Sequence, residues 1–137
     1  MCHFHTRPKR RDFLRKHQIE AISLDSITDD NGQRLVENLR SVSWNGCEIA
    51  FQVLKKIWPQ PGFDSPFRES IKITLLGSGG VGIHAVQAAV RYGDPTVWEE
   101  YANNGIPGNI VRVVDYDLTR HETEIKKLLK STHLLID

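Results

Sequence analysis

The chain has 137 residues, 39% of them hydrophobic and 26% charged, with a formal net charge of +1, the size and composition of one soluble domain with a modest core. A balance so close to neutrality implies neither a polyanion partner nor an acidic substrate, and no apolar run approaches the ~20 residues of a membrane span. The N-terminus also lacks the apolar centre of a secretory signal, so the expectation is a cytoplasmic protein with neither nucleic acid nor membrane as partner.

In chain order, residues 1 to 16 open with Cys2-His3-Phe4-His5 and continue into the basic run Arg7-Pro8-Lys9-Arg10-Arg11. Pro8 can open a helix that turns Phe13 and Leu14 inward and leaves Arg10, Arg11, Arg15 and Lys16 in water. Without interleaved aromatics or a wider basic field, that run is a solvated helix face rather than a nucleic-acid patch. His3 and His5 lack a second cluster to complete the roughly four ligands of a metal site, so no metal is expected. Cys2 and Cys47 are far apart and outside metal spacing, and read as reduced thiols.

Ile19 to Asp25 has strand character, Asp29-Asp30-Asn31-Gly32 is a turn, and Gln33 to Val36 returns, which together predict a hairpin. Ser43-Trp44-Asn45-Gly46-Cys47-Glu48 predicts the start of a helix, with Asn45 and Glu48 as a capping pair. Trp44, Cys47, Ala50, Phe51, Leu54 and Ile57 fall at three- and four-residue spacing and form its buried stripe. Pro59 and Pro61 stop it, and a connecting segment runs to Ser70.

The stretch Ile71 to Gly82, IKITLLGSGGVG, carries the strongest signal. An apolar strand feeds Gly77-Ser78-Gly79-Gly80-Val81-Gly82 and then a helical pattern of small residues, Ala85, Ala88 and Ala89 among them. Strand, G-x-G-x-x-G turn and helix form the dinucleotide-binding fingerprint. Gly77 permits the tight turn, Gly79 lets a pyrophosphate approach the backbone, and Gly82 lets the helix pack against the sheet. The unpaired N–H groups and positive dipole end of that helix suit a doubly charged diphosphate.

The fingerprint calls for an acid at the end of the next strand to hold the ribose hydroxyls, and Ile110-Val111-Arg112-Val113-Val114-Asp115 supplies Asp115. It lies 33 positions after Gly82, against roughly 20 usually, so Asp94 to Asn109 reads as an insertion with a short Trp98-Glu99-Glu100-Tyr101 turn. Thr119 and Glu122 then have capping-box spacing for a helix to Lys130 with Leu118, Ile125, Leu128 and Leu129 inside. His133 to Asp137 reads as another buried strand. The expected fold class is α/β, a partial Rossmann-type parallel sheet preceded by an N-terminal strand or hairpin and a connecting helix. With three strands in place of the five or six of a doubly wound sheet, the chain reads as truncated or completed by a partner copy.

LGSGGVG with its helix, VRVVDYDLTRHETEIKKLL, and upstream LRKHQIEAISLDSI and SVSWNGCEIAFQV together resemble the alanine dehydrogenase and pyridine nucleotide transhydrogenase family, with the lysine-forming saccharopine dehydrogenases close behind. That resemblance implies that residues 1–42 end a substrate domain, residues 43–70 form a connecting helix and linker, and residues 71–137 are half of an NAD domain. It implies that Gly77, Ser78, Gly79, Gly80, Val81 and Gly82 bind the diphosphate and that Asp115 takes the ribose. An acid there favours NAD, since the 2'-phosphate of NADP would meet its charge. Counting back from Ile19, His3 falls where the family has a histidine that contacts the oxo acid and moves a proton, although a terminal histidine is also commonly just poorly ordered.

The function that follows is the NAD-binding portion of an amino-acid oxidoreductase, passing hydride between NAD and an amino or oxo acid in the parent enzyme, inactive as this stretch alone, with a homo-oligomer among the expectations. The family's carboxylate-clamping arginine and lysine have no counterpart in these residues. The alternative is a non-catalytic nucleotide-binding or scaffold module. An S-adenosylmethionine site is disfavoured because Leu75 and Leu76 stand where such sites place an acid.

Overall fold

The strand Ile71–Leu76 (β1) lies between two parallel neighbours, Asn109–Val114 (β2) on one side and Leu134–Ile136 (β3) on the other. The computed structural model describes residues 7–24 and 27–137, apart from the side chains of Tyr116 and Thr119. The register pairs Ile71 with Asn109 and Leu76 with Val114, and Ile73 with Leu134. The architecture is therefore α/β, a small open three-stranded parallel sheet with helices, as a partial Rossmann-like unit requires.

Four of the six β1 residues, Ile71, Ile73, Thr74 and Leu75, are fully buried, the near-continuous apolar reading of a strand covered on both faces. On one face Ile71 and Ile73 meet Cys47, Phe51 and Leu54 of the helix Leu39–Ile57 (α2) and Ala88 and Ala89 of the helix Gly80–Val90 (α3). The alanines leave room for α2 to lie directly on α3. Ser43 Oγ, 2.8 Å from the Leu39 carbonyl and 2.9 Å from the Val81 carbonyl, joins the two helices near their N-terminal ends. On the other face the Thr74 and Thr132 hydroxyls are 2.7 Å apart, while Ile110 and Leu135 remain exposed.

The chain divides into two compact units, Met1–Asn38 and Leu39–Asp137, so α2 belongs with the sheet. Within the first, Pro8–Lys16 (α1) forms with Pro8 in its first turn, as expected. None of its residues is buried, however: Phe13 is 58% exposed, its ring 4.4 Å from that of His17. The expected hairpin reduces to a single antiparallel bridge between Thr28 and Arg34, and residues 19–24 form no strand. Asp29 organises that turn, its carboxylate accepting from the Asn31 and Gln33 amides. A strand needs a ladder of partners, and Ile22, 83% exposed, has none to lie against.

Helix α2 starts at Leu39, four residues before the expected Ser43, which places Asn45 and Glu48 inside it rather than at its cap. The stripe of Cys47, Phe51 and Leu54 is buried, but Ile57, at the last turn, is 72% exposed. The 94–109 segment is an ordered helix, Pro95–Asn103 (α4), with Pro95 at its start and the Asp94 carboxylate accepting from the Thr96 amide. After β2, Tyr116–Arg120 is a 3-10 turn and the helix proper is Glu122–Leu129 (α5) with His121 at its cap and no fully buried residue. The Thr119 side chain of the expected capping box lies outside the described residues. Among the described residues no helix is long and apolar enough to cross a membrane, and no group of His, Cys, Asp and Glu could hold a metal ion.

Candidate functional site

The glycine loop sits at the C-terminal end of β1, where ligands of open α/β sheets bind. Gly77 has φ +84°, a left-handed conformation that turns the chain out of the strand. Its amide donates to the Val114 carbonyl at 2.8 Å, so the ladder between β1 and β2 runs one residue into the loop. Helix α3 then begins at Gly80 with Gly79 at its N-cap and no side-chain cap. The first-turn amides of a helix have no acceptor within it, so this end offers several N–H groups and the positive dipole terminus together.

Each glycine of the fingerprint meets a different constraint. A Cβ on Gly82 would lie 2.6 Å from the Gly77 carbonyl oxygen, so the helix can approach the end of the strand only with glycine there. A Cβ on Gly79 would meet no protein atom within 4 Å, so the protein's own packing leaves that surface open. Gly80 is abutted by Leu39 of α2, whose Cδ1 would be 3.0 Å from a Cβ. Ser78 and Val81 are exposed on the loop.

Asp115 is the first residue after β2, one position beyond Val114, whose carbonyl accepts from Gly77. The strand pairing thus brings Asp115 to the side of the glycine loop despite the 33 positions between them. Its carboxylate is exposed and accepts from the Asp117 amide at 3.2 Å, an Asx turn that fixes the side chain over the start of the 3-10 turn. His3, the remaining expected site residue, lies outside the described residues.

Two features of the site were not expected from the sequence. Ile83 and His84 follow Gly82 in the first turns of α3; Ile83 is exposed, and His84 is half-buried with its Nδ1 enclosed and without a hydrogen-bond partner. The loop therefore offers backbone amides and a helix dipole, with no lysine following its last glycine. The other is the strand order, β2-β1-β3. In the dinucleotide order 3-2-1-4-5-6 the third strand lies beside the second; here it crosses to the far side of β1, as in the order 2-1-3-4-5, whose ligand crevice opens between the first and third strands. That reversal happens at the glycine loop itself.

Cys47 is a free thiol buried between α2 and α3, its Sγ 3.8 Å from the Ala85 carbonyl, and burial pushes its pKa up to about 11. It is a small apolar packing group, not a nucleophile.

No protein-family model, no curated protein and no solved structure matches the chain.

Proposed function

We propose that the glycine loop and Asp115 form a nucleotide site: the amides from Gly79 to Gly82 take a diphosphate at the start of α3, and the Asp115 carboxylate accepts from the ribose hydroxyls. The observation that carries this reading is the Gly77 amide bonded to the Val114 carbonyl at 2.8 Å, which sets the acid beside the cradle. NAD is the ligand of first choice, because an exposed carboxylate at that position repels a 2'-phosphate. NAD, when bound, supplies hydride chemistry; this chain's residues hold and orient its adenine-side half. In a parent enzyme of alanine dehydrogenase type the unit would be the cofactor-binding portion of an amino-acid oxidoreductase, and by itself it should produce no NADH from alanine, lysine or other amino acids.

The strand order favours a second reading. A crevice between the first and third strands, and a G-x-x-x-x-G span followed by Ile83-His84 where a P-loop has Lys and Ser or Thr, suit a mononucleotide diphosphate held by amides alone. This is the non-catalytic nucleotide-binding module. Calorimetric titration with NAD, NADP, ADP and GDP separates the two. NAD binding at least tenfold tighter than NADP, and weakened by Asp115→Ala, supports the dinucleotide site. ADP or GDP binding more tightly than NAD, with Asp115→Ala without effect, supports the mononucleotide site between β1 and β3. No binding by any of the four removes both, and NAD binding unchanged in Asp115→Ala removes the dinucleotide site.

A further inference from the structure

At the opposite end of α3 from the glycine loop, about 16 Å away for an 11-residue helix, a cavity of about 170 Å³ opens between α2, α4 and the connecting segment. Phe51, Phe63, Tyr92 and Tyr101 form its aromatic wall. The rings are locked in one cluster, with Phe51 and Tyr92 centroids 5.2 Å apart and Tyr92 and Tyr101 4.9 Å apart at 81°. Glu48 and Asp94 stand at the same cavity. Their carboxylates accept only from the Gln52 amide group and the Thr96 backbone amide, and neither has an ion-pair partner among the described residues.

The one cation in the lining is already neutralised. Lys55 Nζ lies 2.7 Å from the Asp64 carboxylate, and the Tyr101 hydroxyl donates to the same carboxylate. Arg68 is buried nearby and fully engaged, donating to the Phe63 and Glu69 carbonyls and the Tyr92 hydroxyl and lying over the Phe63 and Tyr92 rings at 5.3 and 5.8 Å. With Lys55 paired to Asp64, Glu48 and Asp94 carry −2 with no ion-pair partner among the described residues, against +1 on Arg68, whose bonds go to carbonyls and a hydroxyl, so the five groups sum to −1.

We propose that this cavity binds a small organic cation, an ammonium group with a few attached carbons, whose apolar part lies on the aromatic wall and whose charge faces Glu48 and Asp94. Aromatic rings attract such cations, and here they form one wall of the cavity with the carboxylates beside it. The volume sets the size: at about 30 Å³ per water, it holds the equivalent of five or six waters, well short of a drug-sized ligand. The cation can come as a free amine or as the head of a lysine side chain on a peptide. The site is independent of the nucleotide reading, because it shares no residue with the glycine loop.

The test is a titration of the isotope-labelled full chain followed by amide and aromatic chemical shifts, with choline as the probe and 3,3-dimethylbutan-1-ol, its uncharged isostere, as the control. The expected result is saturable shifts at Phe51, Tyr92, Val97 and Tyr101 for choline and at least tenfold weaker binding of the alcohol. Glu48→Gln and Asp94→Asn, which keep size and hydrogen bonding, should each weaken choline threefold or more without altering the spectrum of the free protein. A short lysine-containing peptide distinguishes the two sources by whether it shifts the same residues more tightly than choline. Equal affinity for choline and the alcohol, no saturable shift with choline, or affinities unchanged in both variants would overturn the proposal.

Discussion

At the scale of single residues, two glycines, Gly82 and Gly93, are fixed by collisions. Gly93 closes the end of α3 with φ +71°, and a Cβ there would overlap the Glu48 backbone nitrogen in α2. Both the conformation and the space forbid a side chain, so Gly93→Ala should cost about 3 kcal/mol or more in denaturant unfolding. Gly108→Ala, which meets no atom within 4 Å and needs no positive φ, should stay within about 0.5 kcal/mol of the parent. Equal effects of the two would refute the account of α2 packed on the end of α3. Sequence pattern alone marks Gly77, Gly79 and Gly82 through their spacing, but nothing local marks Gly93, whose requirement comes from a helix 45 positions earlier.

At the scale of elements, the segment between α3 and β2 changes its meaning. Its two prolines and two glycines give it the composition of a loop insertion, yet α4 within it delivers Tyr101, 7% exposed, into the main core. There Tyr101 bonds to Asp64 of the connecting segment, which is paired with Lys55 of α2, so three elements are joined through one carboxylate. Burial, and then the Asp64 bond and charge, push the Tyr101 hydroxyl up to about 12. Burial alone would raise the Asp64 carboxyl, but hydrogen bonds from Lys55 and Tyr101 and the charges of Lys55 and Arg68 outweigh it and hold it below its ordinary value. The signs define a window. A depressed acid contributes stability above its unfolded pKa of 3.8 that is lost as pH falls through the folded value. A raised phenol contributes stability below 10 that is lost as pH rises towards 12. In thermal melts against pH, Asp64→Asn should flatten the acid limb and Tyr101→Phe the alkaline one. A limb unchanged by its variant would show that the cluster does not couple folding to pH.

The same scale explains which elements are legible in the sequence. β1, the glycine loop, α3 and β2 carry local patterns that agree with their tertiary surroundings, so pattern and structure coincide. Residues 19–24 have the same apolar alternation, but a strand exists only where a partner forms a ladder, and that is a non-local fact. Helix α2 extends back to Leu39 because Leu39 and Ser43 are held against the start of α3, an interaction that the Asn45 and Glu48 cap spacing cannot reveal.

At the scale of the molecule, the β2-β1-β3 order could not be read from the order of elements, since either neighbour for the third strand fits the same alternation of strand and helix. It has a consequence for how the sheet breathes. β1 has a parallel neighbour on either side and its core residues are sealed, while β2 and β3 each present one side to no other strand of the sheet. The backbone amides should therefore exchange with deuterated solvent in a graded way: those of Ile73 to Leu75 slowest, at the rate set by global unfolding, and the outward amides of Leu134–Ile136 faster by orders of magnitude. Uniform protection across the three strands would mean that something else covers the outer two. On the graded pattern, the Gly77 amide bonded to the Val114 carbonyl sits at the boundary between the slow centre and the fast rim, so on the proposed nucleotide reading a phosphate settling on the loop would slow deuterium uptake first at that boundary.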